Sequence, residues 1–223
     1  MAEGNGQQSM NYLSLRREII RTARLFNSTG LSVGTSGNLS VRTEAGFLVT
    51  PAGVPYGDLL PDSIIELDRE GNRLQGDLQP SSEWRLHTAV YQQRPETGAI
   101  VHVHSPYATG LACTRQEIPA FHYHIARAGG DTIRCAEYAT FGSRALAENA
   151  VKALEGRTAC LLANHGQLAL GDSLSAALDM ACEVEMLAMQ YCIARLAGSP
   201  VLLGVEEMRV NLEKFRSYGR QNE

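Results

Sequence analysis

The sequence predicts one α/β domain built on a mixed sheet, and three observations predict it. Strand-like and helix-like segments alternate along the chain from residue 11 to its end, with no internal repeat, low-complexity linker or shift in composition to mark a boundary. Two pairs of strand segments are joined by turns too short to hold a crossover helix, around Glu44-Ala45-Gly46 and around Gly71-Asn72, so the sheet is not purely parallel. A hydrophobic content of 44% in 223 residues is enough for one substantial core.

Each element has its own signal. Residues 11–29 carry Leu13, Leu15, Ile19, Ile20, Ala23 and Leu25 at helical spacing, and Asn27 to Gly30 stop the pattern. "GTSGNLSVRTEAGFLVTPAG" reads as a glycine-rich loop, a strand, a turn and a second strand, and "SIIELD" with "RLQG" as a further hairpin. Past Pro80 the pattern is helical, with Ser81 and Ser82 as expected caps. "TGAIVHVH" is a buried strand, and Ser105-Pro106 start a short helix. "DTIRCA" is a short strand, and "SRALAENAVKAL" a helix capped by Ser143 and closed by Gly156. "RTACLLANHGQLALG" holds two strands flanking Asn164-His165-Gly166; a long helix from about Leu174 to Leu196 and a short C-terminal helix follow.

Composition narrows the function classes. The net charge is −4 and the pI about 5.9, so no global basic field directs the chain to nucleic acid or to an anionic membrane. No run of 18 apolar residues is present, and no transmembrane helix is expected. "MAEGNGQQSM" is small and polar and reads as a disordered lead over residues 1–10, with the domain proper over 11–223. Five widely spaced cysteines without a CxxC pair suit reduced thiols in the cytoplasm.

The chemistry concentrates in histidines. His102 and His104 stand two apart, on one face of a strand. Alone, the pair reads equally as two ligands or as two strand residues of a half-buried face. His165, beside Asn164 and Gly166, adds a third imidazole at a strand end. Together the three would leave one position open, as catalytic zinc needs. Glu83, in "PSSEWRLH", could fill that position at rest or act as the base beside it.

The ordered blocks "GTSGNLSVR", "VTPAGVPY", "PSSEWRLH", "VHVHSPYATGLA", "IPAFHYHIARAGG", "CAEYATFGSRALAENAVKAL" and "NHGQLALG" closely resemble the class II aldolase and adducin-head family, most of all its L-fuculose-1-phosphate aldolase branch. The resemblance runs from about Leu13 to Tyr218. It implies a three-layer α/β/α fold with a central, largely antiparallel sheet, and a homotetramer with sites between subunits. It implies one Zn²⁺ per subunit on His102, His104 and His165, with Glu83 near the resting metal and acting as general acid/base. It places Tyr123 of a neighbouring subunit and the tail residue Tyr218 at the reacting sugar. Gly37, Asn38, Gly53, Ser81 and Ser82 match phosphate contacts, whose backbone N–H groups and hydroxyls suit an anion. Ala52 departs from the pattern, because the aldolases carry threonine there.

The implied activity is cleavage of a ketose 1-phosphate to dihydroxyacetone phosphate and a small aldehyde. The sugar is L-fuculose 1-phosphate or a relative such as 5-deoxyribulose or 5-methylthioribulose 1-phosphate. The alternatives are a 5-methylthioribulose-1-phosphate dehydratase, a phosphopentose 4-epimerase, which the "SSEW" block opposes, and a non-catalytic adducin-head-like module, which the retention of all four metal-centre residues opposes. His87 is expected to be structural, and His122 and His124 to line a subunit interface. Arg127, Glu137, Glu183 and Glu185 are expected to be solvated or interface charges.

Overall fold

The structure is a computed structural model that describes residues 4–217. An eight-stranded sheet in the order β4-β3-β2-β1-β5-β8-β7-β6 runs through it. Its strands are β1 Asn38–Arg42, β2 Gly46–Val49, β3 Ile65–Asp68, β4 Arg73–Gln75, β5 Ala99–Val103, β6 Cys135–Ala136, β7 Ala159–Leu162 and β8 Gly166–Gly171. Every neighbouring pair is antiparallel except β6 with β7. The mixed, largely antiparallel sheet is therefore as expected.

Alternation along the strands sorts the side chains to two faces. Leu39, Val41, Val101 and Val103 pack with Ile19, Ala23 and Phe26 of α1 (Gly4–Ser28) and with Ala177 and Ala181 of α5 (Leu174–Ala197). Phe47, Ile65, Ile100 and Leu168 pack on the other face with Leu86 and Val90 of α2 (Trp84–Gln93) and Leu146 and Ala150 of α4 (Arg144–Ala153). A third cluster joins α3 (Pro106–Ala112), the far half of α5 and Met208 of α6 (Val205–Ser217) around Ile118, Ile125 and Leu161. Helices on both faces of the sheet make the three layers. No helix among the described residues is long and apolar enough to cross a membrane.

Several boundaries differ from the sequence expectation. The first helix begins at Gly4, inside the stretch read as a lead. Ser81 and Ser82 do not cap α2; Glu83 holds the N-cap place, and the Ser81 hydroxyl accepts the Glu83 backbone N–H at 3.3 Å. Ser143 does cap α4, accepting from the Leu146 N–H at 3.2 Å. A 3-10 turn, Tyr123–Ala128, forms in "FHYHIARAGG", where no period announced it. Glu183 and Glu185 are half-buried and engaged within the chain. Glu183 takes His124 Nδ1 at 2.7 Å and Arg127, and Glu185 accepts the Tyr107 and Ala108 N–H groups, each at 2.9 Å.

Candidate active site

Four elements converge where β5 ends. His102 lies within β5 and His104 just beyond it, with their side chains on the α2 face of the sheet. His165 sits in the tight turn between β7 and β8, after Asn164, whose φ of 53° turns the chain. Glu83 stands at the head of α2. Two glycines make the convergence possible. A Cβ on Gly166 would fall 2.5 Å from the Val103 carbonyl oxygen and 2.8 Å from His104 Cδ2. Gly37, at φ 87°, would place its Cβ 2.7 Å from the His102 carbonyl oxygen.

The four ligand atoms, one from each of Glu83, His102, His104 and His165, lie within 4.8 Å of one another. His102 Nε2 is 2.9 Å from Glu83 Oε2 and 3.0 Å from His104 Nε2, and His165 Nε2 is 3.4 Å from Glu83 Oε1. His102 Nδ1 lies 2.8 Å from the Gln167 carbonyl oxygen, which can only accept. Nδ1 therefore carries the proton, and Nε2 is the atom offered to the centre. Glu83 Oε1 is buried without a hydrogen bond. An orphaned carboxylate oxygen facing imidazole nitrogens is what a bound cation satisfies, so the residues present fit a metal ion.

Electrostatics agree with that fit. Burial pushes the Glu83 carboxyl up, but the neighbouring His102, then His165 and Asn38, outweigh it and hold the group well below the usual carboxylate range. Burial, with His102 next, lowers His104 and His165 to about 4 each. Burial, the largest single influence, pulls His102 down, but Glu83 and the Gln167 carbonyl together raise it by more, so that it ends above its ordinary value. One carboxylate thus stands among three crowded imidazoles, two of them neutral near pH 7 and ready to ligate.

The cluster forms the floor of a cleft of about 360 Å³, a size suited to a small phosphorylated metabolite. Gly37, Asn38, Gly53, Ser81 and Ser82 all line this cleft together with Glu83, His104 and His165, while His102 is buried beneath. The Asn38 amide is already engaged, donating from Nδ2 to Glu83 Oε2 at 3.2 Å. Tyr123 does not line the cleft; it is 46% exposed on its 3-10 turn, with its ring stacked on Phe215 at 6.1 Å. Tyr218 lies outside the described residues. Thr35, Ser36, Pro51, Tyr138, Ala139 and Phe141 also line the cleft and were not singled out from the sequence. Thr35 and Ser36 lie inside the glycine-rich loop and share its signal, whereas Tyr138 and Phe141 of "EYATFG" have no periodicity or spacing that marks them.

Comparison with known proteins agrees with the geometry. Residues 17–192 match the Class II Aldolase and Adducin N-terminal domain. The chain is 48% identical over 207 residues to a 5-methylthioribulose-1-phosphate/5-deoxyribulose-1-phosphate aldolase of Rhodospirillum rubrum, covering 93% of each chain. It is 47% identical to the L-fuculose phosphate aldolase of Escherichia coli K12, over 92% of this chain and 95% of the relative. The solved structure of an L-fuculose 1-phosphate aldolase superimposes with a TM-score of 0.88 at 44% identity, covering 91% of this chain and 96% of that one. With a domain match over most of its length and relatives this similar end to end, the chain belongs to the class II aldolase and adducin N-terminal domain family.

Proposed function

We propose that the protein is a zinc-dependent aldolase that cleaves a ketose 1-phosphate to dihydroxyacetone phosphate and a small aldehyde. The convergence of three imidazoles and one buried carboxylate on the floor of a cleft rimmed by turn glycines and serines carries this reading. His102, His104 and His165 are the ligands, and Glu83 completes the resting site. A bound divalent ion supplies Lewis-acid stabilisation of the charge that develops on the substrate oxygens.

The chain's own groups do the rest. Gly37, Gly53, Ser81 and Ser82 hold the phosphate, with Ser36 and Asn38 beside them. Cleavage breaks the C3–C4 bond. The C4 hydroxyl loses its proton as the aldehyde forms, and the electron pair stays on the C2–C3 unit. Glu83, ionised at rest, receives a proton equivalent to the one the C4 hydroxyl gives up and delivers it to C3, so that the cleavage neither gains nor loses a proton; its burial beside His102 keeps it away from competing solvent protons. Tyr123, turned away from its own cleft, serves the C4 oxygen in a neighbouring subunit of a homotetramer, and Tyr218 closes over the sugar. Tyr138 and Phe141 give the cleft an apolar side that suits a methyl or methylthio terminus on the sugar.

The test is a substrate panel. L-Fuculose, 5-deoxyribulose and 5-methylthioribulose 1-phosphates are each incubated with metal-analysed protein, and dihydroxyacetone phosphate is assayed. Release from at least one of them, abolished by chelation, is expected. No release from any of the three with metal bound would overturn the reading.

A further inference from the structure

His87, which the mechanism above does not use, lies under the site in a chain of hydrogen bonds whose directions are fixed from one end. The Glu83 carboxylate can only accept, so the Asn38 contact to Oε2 at 3.2 Å is made by the Asn38 NH₂ group. That turns Asn38 Oδ1 to His87 Nε2, at 2.5 Å. A carbonyl oxygen also only accepts, so His87 carries its proton on Nε2. His87 is fully buried, and burial, with His102 next, holds its pKa down at about 3. Its Nδ1 is then a lone pair, and Ser40 Oγ, 2.6 Å away, donates to it. Ser40 in turn accepts from the Tyr91 hydroxyl at 2.8 Å. Arg42 lies over the Tyr91 ring, 4.5 Å from its centroid.

The register behind this chain is a match of two periods. Glu83, His87 and Tyr91 recur every four residues along one face of α2, and Asn38, Ser40 and Arg42 every two along one face of β1. Four helical residues advance about 6 Å, and two strand residues about 6.6 Å. The rows therefore stay opposite each other over two steps. Apart from Asn38 and Glu83, none of the six residues lines the cleft. Within the two rows Asn38, Ser40, His87 and Tyr91 are buried and fully partnered, in a layer otherwise filled by Leu86, Val90 and Ile100, where apolar side chains would pack at lower cost.

We propose that His87 is a positioning residue of the reaction: its Nε2–H holds the Asn38 amide in one orientation, and through it the Glu83 carboxylate, while Ser40 and Tyr91 hold His87 in the required tautomer. Without it, the amide is free to turn over and present its oxygen to the carboxylate. This inference rests on Glu83 being the acid/base group.

The test replaces His87 with Leu, Asn and Gln in the full chain, with metal content measured. The Gln side chain can place its NH₂ near the Nε2 position; Asn reaches only the Nδ1 position, and Leu offers packing alone. His87→Leu and His87→Asn should lower kcat/KM by about 10- to 100-fold at full metal occupancy, as removal of an outer-shell partner does, and His87→Gln should recover most of the loss. Equal losses in all three, or a His87→Leu protein within about twofold of the unaltered one, would overturn the proposal. Should His87→Leu not fold, Ser40→Ala serves in its place, with a loss of about threefold or more expected and an unchanged rate contradicting the proposal. A crystal structure of whichever of these two variants folds separates the claims. A rotated Asn38 amide or Glu83 carboxylate supports positioning, and unmoved groups refute it, even if the unaltered protein releases no triose phosphate and the aldolase reading has failed.

Discussion

Glu83 shows how one residue can be placed by the sequence and still have its environment hidden. Its position between two serines and a tryptophan carries the family resemblance, but helical patterning alone makes it a solvated residue of a first turn. It is instead 4% exposed, because α2 begins only at Trp84 and turns Glu83 in toward His102. Replacing it by Gln keeps the shape and removes the proton. Glu83→Gln should lower kcat by about 10²- to 10⁴-fold while the three imidazoles still hold metal, checked by steady-state rates and metal analysis. Ala52 lines the cleft where the aldolases of the resemblance carry threonine. Ala52→Thr adds one hydroxyl beside Gly53 and should lower KM for the sugar phosphate by about fivefold, one hydrogen bond's worth of about 1 kcal/mol. His87 sets a pH dependence. It is held at about 3 when folded, against an ordinary 6.5. As pH falls through 6.5 the unfolded chain takes that proton first, so stability is lost on acidification across the window from 6.5 down to about 3. By pH 5 the loss from this group is about 2 kcal/mol. Urea unfolding of chelated protein at pH 7 and pH 5 should therefore show the unaltered chain losing about that much more than His87→Gln.

Elements with a strong period were legible, and those positioned by long-range contacts were not. β5 announces itself as a continuous apolar run and α5 as a long apolar helix, which the structure shows capped by Ser173 and ending at Gly198. The start of α2 was misplaced because serine favours caps locally, while here Ser81 bonds the Glu83 N–H and lines the cleft. The 3-10 turn at Tyr123 is held by Ile125 and Ala126 in the third core cluster and by the pairing of Glu183 with His124 and Arg127, contacts that no local pattern encodes. "DTIRCA" gives only Cys135–Ala136 as strand, because only that much of it reaches β7. The β7–β8 turn makes its own prediction. Gly166→Ala would drive a Cβ against Val103 and His104. The chain should still fold, with β8 displaced at its start and metal retention in dialysis against a chelator lowered by about tenfold or more.

The fold class follows from chain-wide alternation and short hairpins, and the sheet order from neither. That β1 joins β5, and that β5 rather than β6 lies against β8, depends on which apolar faces meet in the assembled layers. The same long-range assembly brings residues 37–38, 83, 104 and 165 to one cleft with His102 buried beneath it, although each was marked only by a short motif. One proposed participant, Tyr123, stays outside it, and this is a statement about more than one chain. Light scattering should give four chains of 24.2 kDa each. Tyr123→Phe and Glu83→Gln proteins, each nearly inactive, should regain part of the rate when their subunits are exchanged. Exchange without recovery would put Tyr123 outside the neighbour's site. The most direct measurement is a metal titration of the chelated protein, following dihydroxyacetone phosphate release from its best ketose 1-phosphate. The rate should be abolished by chelation, rise linearly with added Zn²⁺ and level off at one ion per chain. Full activity in the stripped protein, or no dependence on the added ion, would contradict a reaction run at the His102–His104–His165–Glu83 centre.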